Sequence, residues 1–137
     1  MKLIRLVPVV LGLATGIAQA QPPVKAPPAS GPAMASADVQ RWLVFFDKLV
    51  ETVVNNAQNC DKMANDVGTV IDGNKSALEL ARNARNARKT LPLSAQQHMM
   101  DGVKKMGPGI QNCGEKDNVK AAFAKLDSHS DTARADK

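Results

Sequence analysis

The chain has 137 residues, 18 of them Lys or Arg and 13 Asp or Glu, which is room for one small domain with a limited core. The formal net charge is +5. Two of the basic residues, Lys2 and Arg5, belong to a targeting segment, and the remaining 16 against 13, or +3, is too even a balance to mark a nucleic-acid binder.

The N-terminus reads as an export signal. MKLIR places Lys2 and Arg5 ahead of the apolar run LVPVVLGLATGIA, and Ala18-Gln19-Ala20 has the small-x-small pattern that signal peptidase cuts. Residues 1–20 are expected to be a signal peptide cleaved after Ala20, and the mature protein to be secreted or periplasmic. Pro8, Gly12 and Gly16 interrupt the run, which falls short of the roughly 20 apolar residues a spanning helix needs. No transmembrane helix is therefore expected in the mature form, and no cysteine adjoins the cleavage site to carry a lipid. Residues 21–37, QPPVKAPPASGPAMASA, are Pro/Ala-rich without an apolar face and predict a flexible linker. Residues 128–137, SHSDTARADK, predict a disordered tail. Residues 38–127 remain as the folded domain.

That domain reads as all-α, a small kinked up-down bundle of about four helices plus a short C-terminal helix. Val39, Phe46, Val53, Cys60 and Val67 are seven apart, and Trp42, Leu49, Met63 and Val70 fill the intermediate seam, with Asn56 the exception. Phe45 lies beside that seam and reads as part of a broad buried stripe. Asn55, Asn56 and Asn59 weaken the middle of this stretch and offer a new N-cap, which predicts helices over 37–56 and 59–72. Asp72-Gly73-Asn74 is a stop signal. The next helix, SALELARNARNARK, presents the thin apolar face Ala77, Leu78, Ala81, Ala84 and Ala87. Ser94 with Gln97 forms a capping-box pattern opening a fourth helix, whose predicted seam is Met99, Val103, Met106, Ile110 and Cys113. Pro108 is expected to kink or split it, and Gly114 to cap it. Val119, Ala122, Phe123 and Leu126 mark the last helix, over 117–127.

Cys60 and Cys113 are the only cysteines, each within a QNC triplet, and both fall on predicted seams. The export signal implies an oxidising compartment, and an even count fits pairing. One Cys60–Cys113 disulfide is expected, worth about 4 kcal/mol by loop closure. Their separation does not suit a C-x-x-C redox site. With only His98 and His129 besides, a zinc site lacks recognisable ligand spacing. The flanks of the two triplets share only polar composition, so no internal repeat is assigned.

The remaining features divide between sharp and plain readings. Arg82, Arg85 and Arg88, with Lys89, form an ARNARNAR pattern suited to an anionic lipid or polysaccharide surface. The plainer reading is a solvated face whose stems cover the alanine stripe. Met63, Met99 and Met106, beside His98, suggest a Met-rich ligand or metal carrier, since thioethers suit Cu(I) and Met/His pairs hold haem in some bundles. There is no C-x-x-C-H, however, and methionine is a common core filler. Asn74-Lys75-Ser76 matches the N-glycosylation sequon. No nucleophile elbow, phosphate loop or H-E-x-x-H occurs, so no catalytic residue, cofactor or metal is assigned. The expected role is a non-catalytic binding or interaction module for a protein or envelope partner, with the carrier and the anionic-surface binder as alternatives.

Overall fold

The computed structural model describes residues 31–131. The expected signal peptide, residues 21–30 of the expected linker and residues 132–137 lie outside the described residues. Five helices follow in order: α1 (Ser36–Asn55), α2 (Cys60–Gly73), α3 (Lys75–Asn86), α4 (Leu93–Cys113) and α5 (Asp117–Asp131). Among the described residues there is no strand, only an isolated bridge between Ala33 and Thr90.

The asparagine-rich stretch does break the first long helical pattern. Asn59 has extended backbone, and its side-chain oxygen accepts from the Lys62 N–H at 3.0 Å. It thereby caps α2. Asn56, the polar exception on the seam, is 6% exposed. Its side-chain nitrogen donates to the Thr52 carbonyl at 2.9 Å and to Asp66 Oδ2 at 3.0 Å, so burial leaves no unpaired group.

The core joins Phe45, Leu49 and Val53 of α1 to Met63, Val67 and Ile71 of α2, Leu78 of α3 and Val119 of α5, with Cys113 from α4. Phe45 is 2% exposed, which settles its place in the buried stripe. The division of labour differs from the sequence expectation. The terminal helix α5, expected to be short, has 15 residues, lies along α2 and α3 and supplies Val119 and Ala122 to the core, whereas α4 supplies only Cys113 to the buried cluster.

Helix α4 instead lies against α1, and its predicted seam is corrected. The buried residues are Ala95, Gly102, Gly109 and Cys113, while Val103 is 57% and Ile110 39% exposed. Small residues seven apart let the α1 side chains press in: a Cβ at Gly102 would lie 2.5 Å from Phe46 Cε1 and 3.0 Å from Val50 Cγ2. One at Gly109 would lie 3.0 Å from the Val53 carbonyl oxygen. A large side chain cannot replace either glycine; Met99 and Met106 flank them half-buried, while Val103 and Ile110 lie outside that face.

Other local expectations are also corrected. Ser94 lies inside α4 and makes no cap hydrogen bond; the N-cap is Pro92, and Gln96 Nε2 donates to the Leu91 carbonyl at 2.8 Å. Pro108 does not split α4, which is continuous through it. Glycine at 107 helps, because a Cβ in a helical residue before proline would crowd the pyrrolidine ring. Gly114 does cap α4, its N–H donating to the Ile110 carbonyl at 2.7 Å, but in the right-handed conformation at φ −60°. Part of the expected linker is fixed: the Met34 N–H donates to the Thr90 carbonyl at 2.9 Å, and the Thr90 N–H to the Pro32 carbonyl at 3.0 Å. The expected tail starts as helix, since α5 runs to Asp131.

Candidate functional site

Cys60 and Cys113 are bonded, with Cα atoms 5.1 Å apart. The bridge ties the first residue of α2 to the last of α4, and Cys113 is fully buried. Both QNC asparagines serve this junction. Asn59 caps the helix that opens at Cys60, and Asn112 Nδ2 donates to the Ala57 carbonyl at 2.9 Å, holding the α1–α2 connection against the end of α4. The disulfide is structural in position, and the two triplets are matched by geometry without any repeat.

The three arginines of ARNARNAR have different surroundings. Arg82 Nη1 donates to the His129 carbonyl of α5 at 3.4 Å. Arg88 lies in the turn after α3, with φ 51°. Arg85, in the last turn of α3, borders a cleft of ≈ 230 Å³ with Met34, Trp42, Leu91, Met99 and Lys89. A second cleft, of ≈ 210 Å³, shares Trp42, Ala81 and Arg85 and continues to Leu78 and Leu126. The Trp42 indole N–H points at the Met99 sulfur, 3.3 Å away, and the Trp42 and Phe45 rings are 5.4 Å apart.

The three methionines occupy three different positions. Met63 is fully buried in the core, Met106 packs against it, and Met99 sits at Trp42. His98 bridges to Asp47 of α1 at 2.6 Å. Among the described residues no group of three His, Cys, Asp or Glu is placed to hold a metal ion. Asn74 of the sequon is half-buried, and its side-chain nitrogen donates to the Val70 carbonyl at 2.7 Å.

Two residues expected on the inner seam, Val103 and Ile110, belong instead to an exposed apolar row. Leu93, Met100, Val103 and Ile110 are 82%, 58%, 57% and 39% exposed. Their spacing of seven, three and seven places them on one outer face of α4. The signal that reveals this face is the inner one: Ala95, Gly102 and Gly109 keep a strict seven-residue spacing, and small residues mark close helix contact as plainly as large ones mark a core.

Fold and sites together define a disulfide-stapled, all-helical bundle with an apolar outer helix face and a cation-bordered cleft. No family model, curated protein or solved structure matches this chain. No described helix is long and apolar enough to cross a membrane.

Proposed function

We propose that this chain is an exported, non-catalytic interaction module that docks a partner helix on the outer face of α4. The observation that carries this reading is the exposed row Leu93, Met100, Val103 and Ile110. Contiguous apolar patches of this kind, rimmed by polar residues, mark interaction sites on soluble proteins. Lys104 lies one turn from Met100 on the same side, held only by a loose, exposed contact with Asp101 at 3.6 Å. The partner that fits is an amphipathic helix whose apolar stripe has an acidic edge. Export rests on Lys2, Arg5 and Ala18-Gln19-Ala20, and a disulfide is at home in an oxidising compartment.

The docking is tested by placing a photo-crosslinking residue at Val103 and, as a control, at Lys120 on α5 in producing cells. A discrete adduct from position 103 alone, lost on Lys104→Glu or Met100→Lys, is expected. An adduct with a second copy of the chain would replace the acidic partner by self-association. No adduct at 103, or one indifferent to both substitutions, overturns the docking. Export is tested separately by the mass of protein recovered outside the cytoplasm, which should begin at Gln21.

A further inference from the structure

We propose that the cleft beside Trp42 binds a single-tailed amphiphilic anion, with its head on Arg85 and Lys89 and its tail over Met34, Trp42, Leu91 and Met99. The composition of the cleft selects this chemistry. Four large apolar side chains remain only half-buried around a space of ≈ 230 Å³, on a molecule whose other large apolar residues are mostly in the core or on α4. An apolar space of about 150 Å³ seats a benzene ring, so this one takes an aromatic ring or an alkyl segment. A neutral apolar ligand would leave the rim unused. Arg85 and Lys89 both border the space, and neither forms an ion pair with an acidic side chain among the described residues. A guanidinium grips a carboxylate or phosphate through two parallel N–H donors. Trp42 adds a third donor, because its indole N–H is spent on a thioether sulfur at 3.3 Å, a weak acceptor.

The geometry also sets the anchor. Arg85 and Trp42 border both this cleft and the adjoining one of ≈ 210 Å³. A head held by Arg85 therefore has two paths for its tail, one toward Leu91 and Met99 and one toward Leu78 and Leu126, the second also lined by Arg82, Asp127 and His129. Lys89 borders only the first, and its charge favours that path. Met99 brings α4 to this site, but Leu93, Met100, Val103 and Ile110 border neither cleft, so the site is separate from the outer face of α4.

Trp42 is the chain's only tryptophan, and its fluorescence reports directly on the cleft. The test titrates the intact protein with octanoate, decanoate and decyl phosphate below their micellar concentrations. Decyltrimethylammonium and inorganic phosphate serve as controls. Saturable binding is expected for all three amphiphilic anions, tightening about fourfold per added methylene while the tail stays in the cleft. The ratio of decanoate to decyl phosphate then separates a fatty-acid from a phospholipid type of head. Arg85→Glu with Lys89→Glu should weaken decanoate at least tenfold while leaving the far-ultraviolet circular dichroism unchanged. Equal binding of decanoate and decyltrimethylammonium, indifference to the double charge reversal, or a full response to inorganic phosphate alone would each overturn the proposal.

Discussion

Arg88 has φ 51° and is the only described non-glycine residue with a positive value. The Lys89 N–H reaches the Ala84 carbonyl at 2.8 Å and the Arg88 N–H the Arg85 carbonyl at 3.0 Å, the paired bonds of a Schellman cap with Arg88 where glycine is usual. The left-handed conformation costs a residue with a Cβ about 1–2 kcal/mol, and glycine returns part of that gain as unfolded-state entropy. Arg88→Gly should therefore raise stability by about 0.5–1 kcal/mol, read as a higher urea midpoint with an unchanged slope. Gly31→Ala should act the other way, because an added Cβ would collide with the Arg88 carbonyl oxygen. Single side chains also set the acid response. Lys62 donates to Asp66, with Asn56 adding a bond, and holds its carboxyl below the usual range. Lys125 does the same for Asp72, and Lys120 for Glu115. A folded value below the unfolded one, near 4, means that the folded form binds fewer protons. The stabilisation is complete above that region and is lost as pH falls through the folded values. Urea midpoints measured from pH 6 to 2 should fall, and less steeply in Asp72→Asn. Lys120 has the opposite sign: its value is raised by Glu115, so its contribution holds through neutral pH and is lost only as pH rises through the raised value.

Helix α4 shows how an element is read correctly in extent and wrongly in orientation. Its boundaries were legible from Pro92, Ser94 and Gly114, and its existence from a 3-4 apolar rhythm. Met99, Met106 and Cys113 of that rhythm face inward, but Val103 and Ile110 belong to the outer face, because hydrophobic periodicity weights large residues and is blind to glycines that owe their place to contact with Phe46 and Val53. The cleft at Trp42 was hidden too, because it is assembled from Met34, α1, α3, the 89–91 connection and Met99 of α4, and no local pattern encodes that meeting. Two glycines separate the cases experimentally. Gly102→Ala forces a methyl against Phe46 and Val50; overpacking of about 1–3 kcal/mol outweighs a helix-propensity gain of about 1 kcal/mol, and stability should fall. Gly73→Ala meets nothing within 4 Å and has no positive φ, so it should gain about 0.5–1 kcal/mol. Thermal unfolding of the two variants beside the parent decides the point, and equal effects would mean that α1 and α4 are not in close contact.

At the scale of the molecule, the bundle was legible because its four core helices carry their large apolar residues inward, and the Cys60–Cys113 bond because seam position and even count converge on one pairing. The structure adds a mechanical reason for the bond. Helix α4 gives the central core one fully buried residue, Cys113, with Met106 packed against it, and otherwise meets α1 through small residues and the half-buried Met99. Its grip on α2 is therefore mainly covalent. The bridge closes a separation of 53 residues, for which loop-closure entropy gives about 4 kcal/mol, a large part of the stability of a small domain. Cys60→Ala with Cys113→Ala should lose about that amount in urea unfolding, and reduction of the parent should reproduce it. The loss should also be spatially uneven. Hydrogen exchange in the double variant should accelerate first in the C-terminal half of α4, from Gly107 to Cys113. The α2–α5 pair should keep its protection, since Asn118 still reaches Asp61 at 2.7 Å and Lys125 still reaches Asp72 at 2.6 Å. Uniform acceleration across all five helices would show instead that α4 is integral to the cooperative core, and that the bridge acts only on the unfolded chain.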